Sequence, residues 1–207
     1  MKKLLITFLV IISTILISKT IHISSDYIEP TDNKITYSGN IILKIEEDNL
    51  RLFSEDMVIK KINEKWIDLS IENSVKIEFK NGIIQGENMS YNIETQKGTI
   101  KNASLTVFDS KSTETILINC EELEFDLKNN IFNGNGNNEK VLITKGSIIA
   151  KSFKFSYNRA EGKLILEKYV ELEDKKRNLS LLGDNVIINT ENNNMKGKNV
   201  KVKILVE

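Results

Sequence analysis

The side chains able to do chemistry are few. His22 is the only histidine and Cys120 the only cysteine among 207 residues, so a two-histidine metal site, a cysteine-rich one and an intramolecular disulfide are all excluded. A Ser/His relay would have to rest on a histidine held between Ile21 and Ile23, where a polar side chain facing water is the simpler account. Glu121 and Glu122 are adjacent carboxylates, but adjacent strand residues point to opposite faces and do not converge on one substrate. They read as solvated strand residues. Gly134-Asn135-Gly136 lacks the third glycine and the following helix of a phosphate cradle, and reads as a hairpin tip. The triplets at Asn88, Asn102 and Asn178 fit the glycosylation pattern, as chance allows in a chain so rich in asparagine. The expectation is a protein that is not an enzyme and has no cofactor and no metal. Cys120 reads as a small buried thiol.

Attention therefore moves to the apolar residues. Six times a small residue is preceded by an apolar one two places back and followed by another three places on. The small residues are Ser25, Ser54, Gly86, Cys120, Ala150 and Gly183, separated by 29, 32, 34, 30 and 33 positions. Such regularity marks a stacked repeat. The next residue is acidic in five copies (Asp26, Glu55, Glu87, Glu121, Asp184) and Lys151 in the sixth.

Spacing of two on either side of the small residue means strands with one buried face. Ile116, Ile118 and Cys120 share one parity, whereas Leu123, Phe125 and Leu127 share the other, so the buried phase flips inside the copy. A straight strand would then turn half of its apolar set toward water. An inserted residue and a bend at the small residue avoid this. Bends are expected near Ser54, Gly86, Cys120, Ala150 and Gly183, with more than half of the mature chain in strands.

Turn signals at residues 46–49, 81–82, 110–113, 133–138, 158–162, 174–178 and 191–194 divide the remaining chain into alternating, β-branched-rich runs. The count is about eleven to thirteen strands, antiparallel because connections are short. The fold class is all-β: a repeat-built antiparallel sheet creased along its length, roughly 50–60 Å long at ~4.8 Å per strand.

Residues 1–20 read as a signal segment, with Lys2 and Lys3 followed by an uncharged run over residues 4–18, short for a membrane span. Ser18-Lys19-Thr20 is a poor Ala-x-Ala match, so cleavage and retention as an anchor both stay open. Residues 21–207 form one domain. Without residues 1–20 the chain carries 26 basic against 29 acidic residues, and no basic patch argues for nucleic acid.

The crease turns Met57, Ile59, Met89, Tyr91, Leu123, Phe125, Phe153, Phe155, Val186 and Ile188 toward their return strands. They must largely form the core, since each buried side chain is worth ~1.5–3 kcal/mol. A V-shaped sheet that does not close completely would also offer an apolar trough able to shelter acyl chains. Its first strand, near residues 21–28, and its last, near 199–206, would be unpaired edges. Val200, Val202, Ile204 and Val206 share one parity of the last strand, against Lys201 and Lys203 on the other.

Three runs carry a family resemblance: Ile21-His22-Ile23-Ser24-Ser25-Asp26, Thr36-Tyr37-Ser38-Gly39-Asn40-Ile41-Ile42-Leu43 and Leu52-Phe53-Ser54-Glu55-Asp56-Met57-Val58-Ile59. They resemble the opening of the OstA-like, LptA-type family of lipopolysaccharide-export periplasmic proteins. Gly86 to Asn92, Phe153 to Asn158 and Gly183 to Asn189 resemble the family's later repeats. The resemblance implies a β-jellyroll, or β-taco, whose groove carries the lipid A part of lipopolysaccharide. It also implies head-to-tail homo-oligomers standing between an inner-membrane export complex and an outer-membrane insertion complex. Ile21 and Ile23 match the family's opening strand, which contacts lipid and the upstream partner. Ile41 replaces the usual valine, and Ser25 and Ser54 stand where alanine is common. An anchored LptC-like subunit has the same fold, and a structural envelope protein with a closed, lipid-free core is a further alternative.

Overall fold

The computed structural model describes residues 19–108 and 114–204; the signal run, the turn at 110–113 and Val206 lie outside them. The described residues form sixteen strands. They are β1 (Ile21–Ser24), β2 (Tyr27–Pro30), β3 (Lys34–Ile45), β4 (Leu50–Ile62), β5 (Lys65–Phe79), β6 (Gly82–Asn92), β7 (Lys97–Phe108) and β8 (Thr115–Asp126). Then follow β9 (Ile131–Asn135), β10 (Val141–Lys145), β11 (Ile148–Ser152), β12 (Lys154–Asn158), β13 (Lys163–Asp174), β14 (Leu179–Asn189), β15 (Met195–Lys198) and β16 (Lys201–Ile204). Single 3-10 turns at Glu46–Asp48 and Lys175–Arg177 join β3 to β4 and β13 to β14. All sixteen strands belong to one sheet.

That sheet is folded lengthwise into two layers. β3 to β8, β13 and β14 are long enough to run through both. The other eight strands make four split pairs: β1 with β2 on β3, β10 with β9 on β8, β11 with β12 on β13, and β16 with β15 on β14. Eight through-strands plus four halves make each layer twelve strands deep. The strands number sixteen among the described residues rather than the expected eleven to thirteen, because four of the twelve rungs are each made of two short strands interrupted at the crease. The Gly134-Asn135-Gly136 run is not a hairpin tip, because β9 and β10 both pair with β8 and the run carries the chain around the crease. At Gly134 a Cβ would lie 2.5 Å from the Phe155 ring, which accounts for the glycine.

Register shifts mark the crease in most through-strands, between Ser38 and Ile41, Ser54 and Val58, Ile71 and Ser74, and Glu167 and Val170. In β4 the buried residues are Leu50, Leu52 and Ser54, then Met57 and Ile59, so the parity changes where the small residue stands. At these bends the serine hydroxyls do a specific job. Ser25 Oγ donates to the Tyr27 carbonyl at 3.0 Å, Ser54 Oγ to that of Asp56 at 2.8 Å, and Ser152 Oγ to that of Lys154 at 2.9 Å. Each satisfies a carbonyl that the bend removes from the ladder. At Gly86 a Cβ would stand 2.5 Å from the Lys101 carbonyl oxygen, so no larger residue fits there.

The fifth bend lies near Ala150 as expected, at Ser152. Ile148, Ala150 and Ser152 all face inward, the buried series resumes at Phe155 and Tyr157, and Phe153 faces out. Ala150 and Ser152 share a parity, so either position satisfies the repeat. Ser152 supplies a hydroxyl for the turned carbonyl, and alanine has none. Phe153 packs outside instead, edge-on to Tyr169 at 6.2 Å and under the Lys140 ammonium at 5.6 Å.

The acids after the bends form a second row outside the crease. Asp26 accepts from Asn40 Nδ2 at 2.8 Å, Glu87 from Asn102 Nδ2 at 3.2 Å, and Asp184 from Asn199 Nδ2 at 3.2 Å. The three asparagines have positive φ, a conformation asparagine tolerates better than most residues. Glu121 is more than a solvated strand residue: it accepts the backbone N–H groups of Glu139 and Asn138 at 2.8 Å and Asn137 at 3.0 Å. These donors, Glu139 first, hold its carboxyl below the usual range. Acid and asparagine therefore tie neighbouring bends together.

Cys120 is buried at its bend, and burial pushes its thiol up to about 12. A thiolate-selective alkylating reagent at pH 8 is expected to leave folded protein unlabelled and to label it fully in denaturant. Rapid labelling of folded protein would place the thiol in solvent.

Candidate functional site

The inner faces of the two layers make one apolar interior. Met57, Ile59, Met89, Tyr91, Leu123, Phe125, Phe155, Val186 and Ile188 all lie on the inner face of the second layer and are at most 3% exposed. Leu43, Leu52, Ile77, Ile84, Leu105 and Ile118 face them from the first layer. The rings of Phe79 and Phe132, one from each layer, stand 5.9 Å apart. Of the ten residues expected to turn inward, only Phe153 is placed outside. The trough expected along the whole length is filled in its middle by the protein's own side chains.

At the ends the interior is uncovered, because the two layers meet out of step. Opposite the crease, Asp48 in the turn between β3 and β4 accepts a hydrogen bond from Gln96 Nε2, in the turn between β6 and β7, at 2.6 Å. Asn81, between β5 and β6, donates from Nδ2 to Asn130 Oδ1, between β8 and β9, at 2.7 Å. Each contact joins turns three strands apart, a skew of ~14 Å at ~4.8 Å per strand. The second layer therefore projects at the end that holds β1 and β2, and the first layer projects at the end that holds β15 and β16.

Under the projecting second layer lies an apolar mouth of ≈ 760 Å³, inside the ~300–1,000 Å³ range of small-molecule pockets. Ile21, Ile23, Ile35, Tyr37, Trp66 and Ile93 line it. The half-buried Ile21, Ile23, Ile35 and Trp66 pack against the main core, so mouth and interior are continuous. Its rim is charged: Lys65 pairs with Glu94 at 2.6 Å and Lys19 with Asp48 at 2.7 Å. Burial raises the Tyr37 and Tyr91 hydroxyls above their ordinary titration range, with the Asp48 charge adding to the effect at Tyr91. Of the residues lining the mouth, sequence reasoning singled out Ile21, Ile23 and Ile59 as groove residues. Ile35, Trp66 and Ile93 stand outside the repeat's apolar positions, and only the skew brings them together.

At the other end, Val202 pairs with Leu181 and Ile204 with Leu179, so both face the interior side, and both are more than half exposed. Val200 lies instead over the crease, where a Cβ at Gly183 or Gly197 would meet its methyl group. His22 points outward beside Lys44. Among the described residues no group of three or more metal-ligating side chains comes together, and no helix is long and apolar enough to cross a membrane.

A family model described as "LptA/(LptD N-terminal domain) LPS transport protein" matches residues 22–131. Among solved structures, the chain is similar to that of LptH, the LptA-homologous periplasmic component of the lipopolysaccharide transport device of Pseudomonas aeruginosa. The match has 8% identity and a TM-score of 0.28, covering 91% of this chain and 96% of that one. None of the curated proteins matches the sequence.

Proposed function

The chain belongs to the LptA/LptD N-terminal-domain family of lipopolysaccharide transport proteins, and we propose that it is a periplasmic carrier holding the acyl chains of lipid A between its two layers. The observation that carries this reading is the apolar mouth continuous with the core. An interior of this kind offers acyl chains a dry environment, while sugars and phosphates remain at the charged rim. The groove residues are those on the inner face of the second layer, with Ile21 and Ile23 at the entrance. Site-specific photo-crosslinking in cells tests this. A crosslinker at Met89 or Tyr91 captures lipopolysaccharide, whereas one at the outward Ser90, Lys154 or Phe153 does not. Equal yields from both sets would remove the interior path.

The skewed ends also fit one another. The first layer's overhang, with Val202 and Ile204 uncovered, complements the second layer's overhang around the mouth, so that one copy's tail closes the next copy's head. Both ends present unpaired strand edges, and a heterologous contact of this kind continues into filaments. Such a filament is the bridge proposed between the inner-membrane export complex and the outer-membrane insertion complex. Deleting residues 199–207 is expected to convert concentration-dependent oligomers into folded monomers, read by light scattering. An unchanged size distribution would exclude assembly through this end.

Residues 1–20 are proposed to direct export and to be removed after Thr20. Removal would take Lys19 from the rim and leave Asp48 to Gln96. Retention would make the same jellyroll an anchored subunit, and the intact mass of the mature protein separates the two.

A further inference from the structure

The two long sides of the folded sheet are held in different ways. Eight continuous strands cross the crease. Across the opposite side no backbone-to-backbone hydrogen bond runs among the described residues, and each hydrogen bond that closes this seam involves at least one side chain. In its first half Gln96 donates to the Asp48 carboxylate and Asn81 to Asn130, four half-buried residues, and Lys19, on the segment proposed to be removed, adds an ion pair to Asp48 at 2.7 Å and a hydrogen bond to the Ile93 carbonyl at 3.5 Å. Near the middle, Arg159 Nε donates to the Phe108 carbonyl at 3.0 Å.

The second half is clasped more firmly. Asn193, in the turn between β14 and β15, accepts from Lys145 Nζ on Oδ1 at 2.8 Å and from Arg177 Nη1 on its carbonyl at 2.9 Å. Its Nδ2 reaches Glu114 Oε2 at 3.5 Å, and the same carboxylate pairs with Lys145, which is 2% exposed. Separating this half would strand a buried ammonium. Separating the first half returns the Asp48 carboxylate and three neutral amides to water, which replaces their hydrogen bonds and strands no buried cation.

We propose that the seam is a gate hinged on the crease: the half bounded by Asp48–Gln96 and Asn81–Asn130 parts to admit an acyl chain, while the clasp on Asn193 holds the other half shut. This rests on the carrier reading. Two further observations support the choice of half. The parting half adjoins the mouth, where the skew already uncovers the inner face, so opening spreads from an existing end. Inside it lies the Tyr91 hydroxyl, buried and without a hydrogen-bond partner. A buried donor left unpaired is costly, and the ester or amide carbonyl of an entering acyl chain would accept from it.

The test uses the purified chain with Cys120→Ser, a change to the residue found at three other bends, and the pair Asn81→Cys and Asn130→Cys bridged by dibromobimane. The apolar dye N-phenyl-1-naphthylamine reports entry to the interior. The bridged protein is expected to lose the rapid dye uptake of the unbridged protein, and Asn193→Ala to keep it. Equal uptake with and without the bridge overturns the gate, as does absence of uptake in both. The pair Asp48→Cys and Gln96→Cys gives the same comparison should the first not fold. Lipopolysaccharide capture by the unbridged protein is scored separately. Dye entry blocked by the bridge without lipopolysaccharide capture would keep the gate and remove the carrier reading.

Discussion

Phe155→Asp, and equally Phe125→Asp, is expected to abolish the cooperative thermal unfolding transition. Phe155 is 0% and Phe125 3% exposed, both on the inner face of the second layer. The substitution removes ~1.5–3 kcal/mol of burial and places a carboxylate among apolar side chains with no partner, at a cost of several kcal/mol. Against a total stability of ~5–15 kcal/mol, this leaves little or nothing. Phe153→Asp is the control. Its ring lies outside, on Tyr169 and under Lys140, so the new carboxylate meets water and a neighbouring ammonium. A change within ~1 kcal/mol is expected, as at other surface positions. Circular dichroism melts of the three variants decide the matter. If Phe153→Asp unfolds the protein as thoroughly as Phe155→Asp, the fifth bend lies at Ala150.

That comparison also marks how far the sequence was legible. The parity flip within each repeat is a local signal, because strand residues alternate faces regardless of what lies opposite. It therefore located the crease and, Phe153 apart, the buried set after each bend. It did not choose between Ala150 and Ser152, because both are small and share a parity. The choice came from a hydrogen bond that only the folded bend creates. The acidic residue after the bend was visible as a pattern, but its asparagine partner lies fourteen or fifteen positions away, on a neighbouring strand. The mouth was least legible. Ile35, Trp66 and Ile93 come together because the two layers are skewed by three strands, and the accumulated twist of a sheet is not written in any short segment.

The buried cation at the seam gives the second large effect, with opposite signs for its two partners. Lys145 is 2% exposed on an inward position of β10, and its ammonium is satisfied by Glu114 and Asn193. Lys145→Met keeps the length of the stem, removes the charge and leaves Glu114, 37% exposed, to take water. Replacing buried ionic groups by apolar ones of similar volume is often neutral or stabilising, so the expected change is within ~1 kcal/mol of zero or favourable. Glu114→Ala does the reverse, leaving the ammonium buried against Asn193 Oδ1 without its carboxylate. Removing one partner of a fully buried pair costs ~3–5 kcal/mol, and the exposure of Glu114 reduces this to an expected ~2 kcal/mol. The same asymmetry appears with pH. The Glu114 carboxyl is held below its usual range, chiefly by the hydrogen bond from Lys145. A depressed carboxyl contributes stability that is fully present above its unfolded pKa and is lost as the pH falls through the lowered folded value. Urea titrations from pH 7 down into the acid range are therefore expected to show a share of acid destabilisation in the natural chain that Lys145→Met lacks. Equal losses for Glu114→Ala and Lys145→Met, with parallel pH curves, would mean that the clasp acts by packing and not by charge.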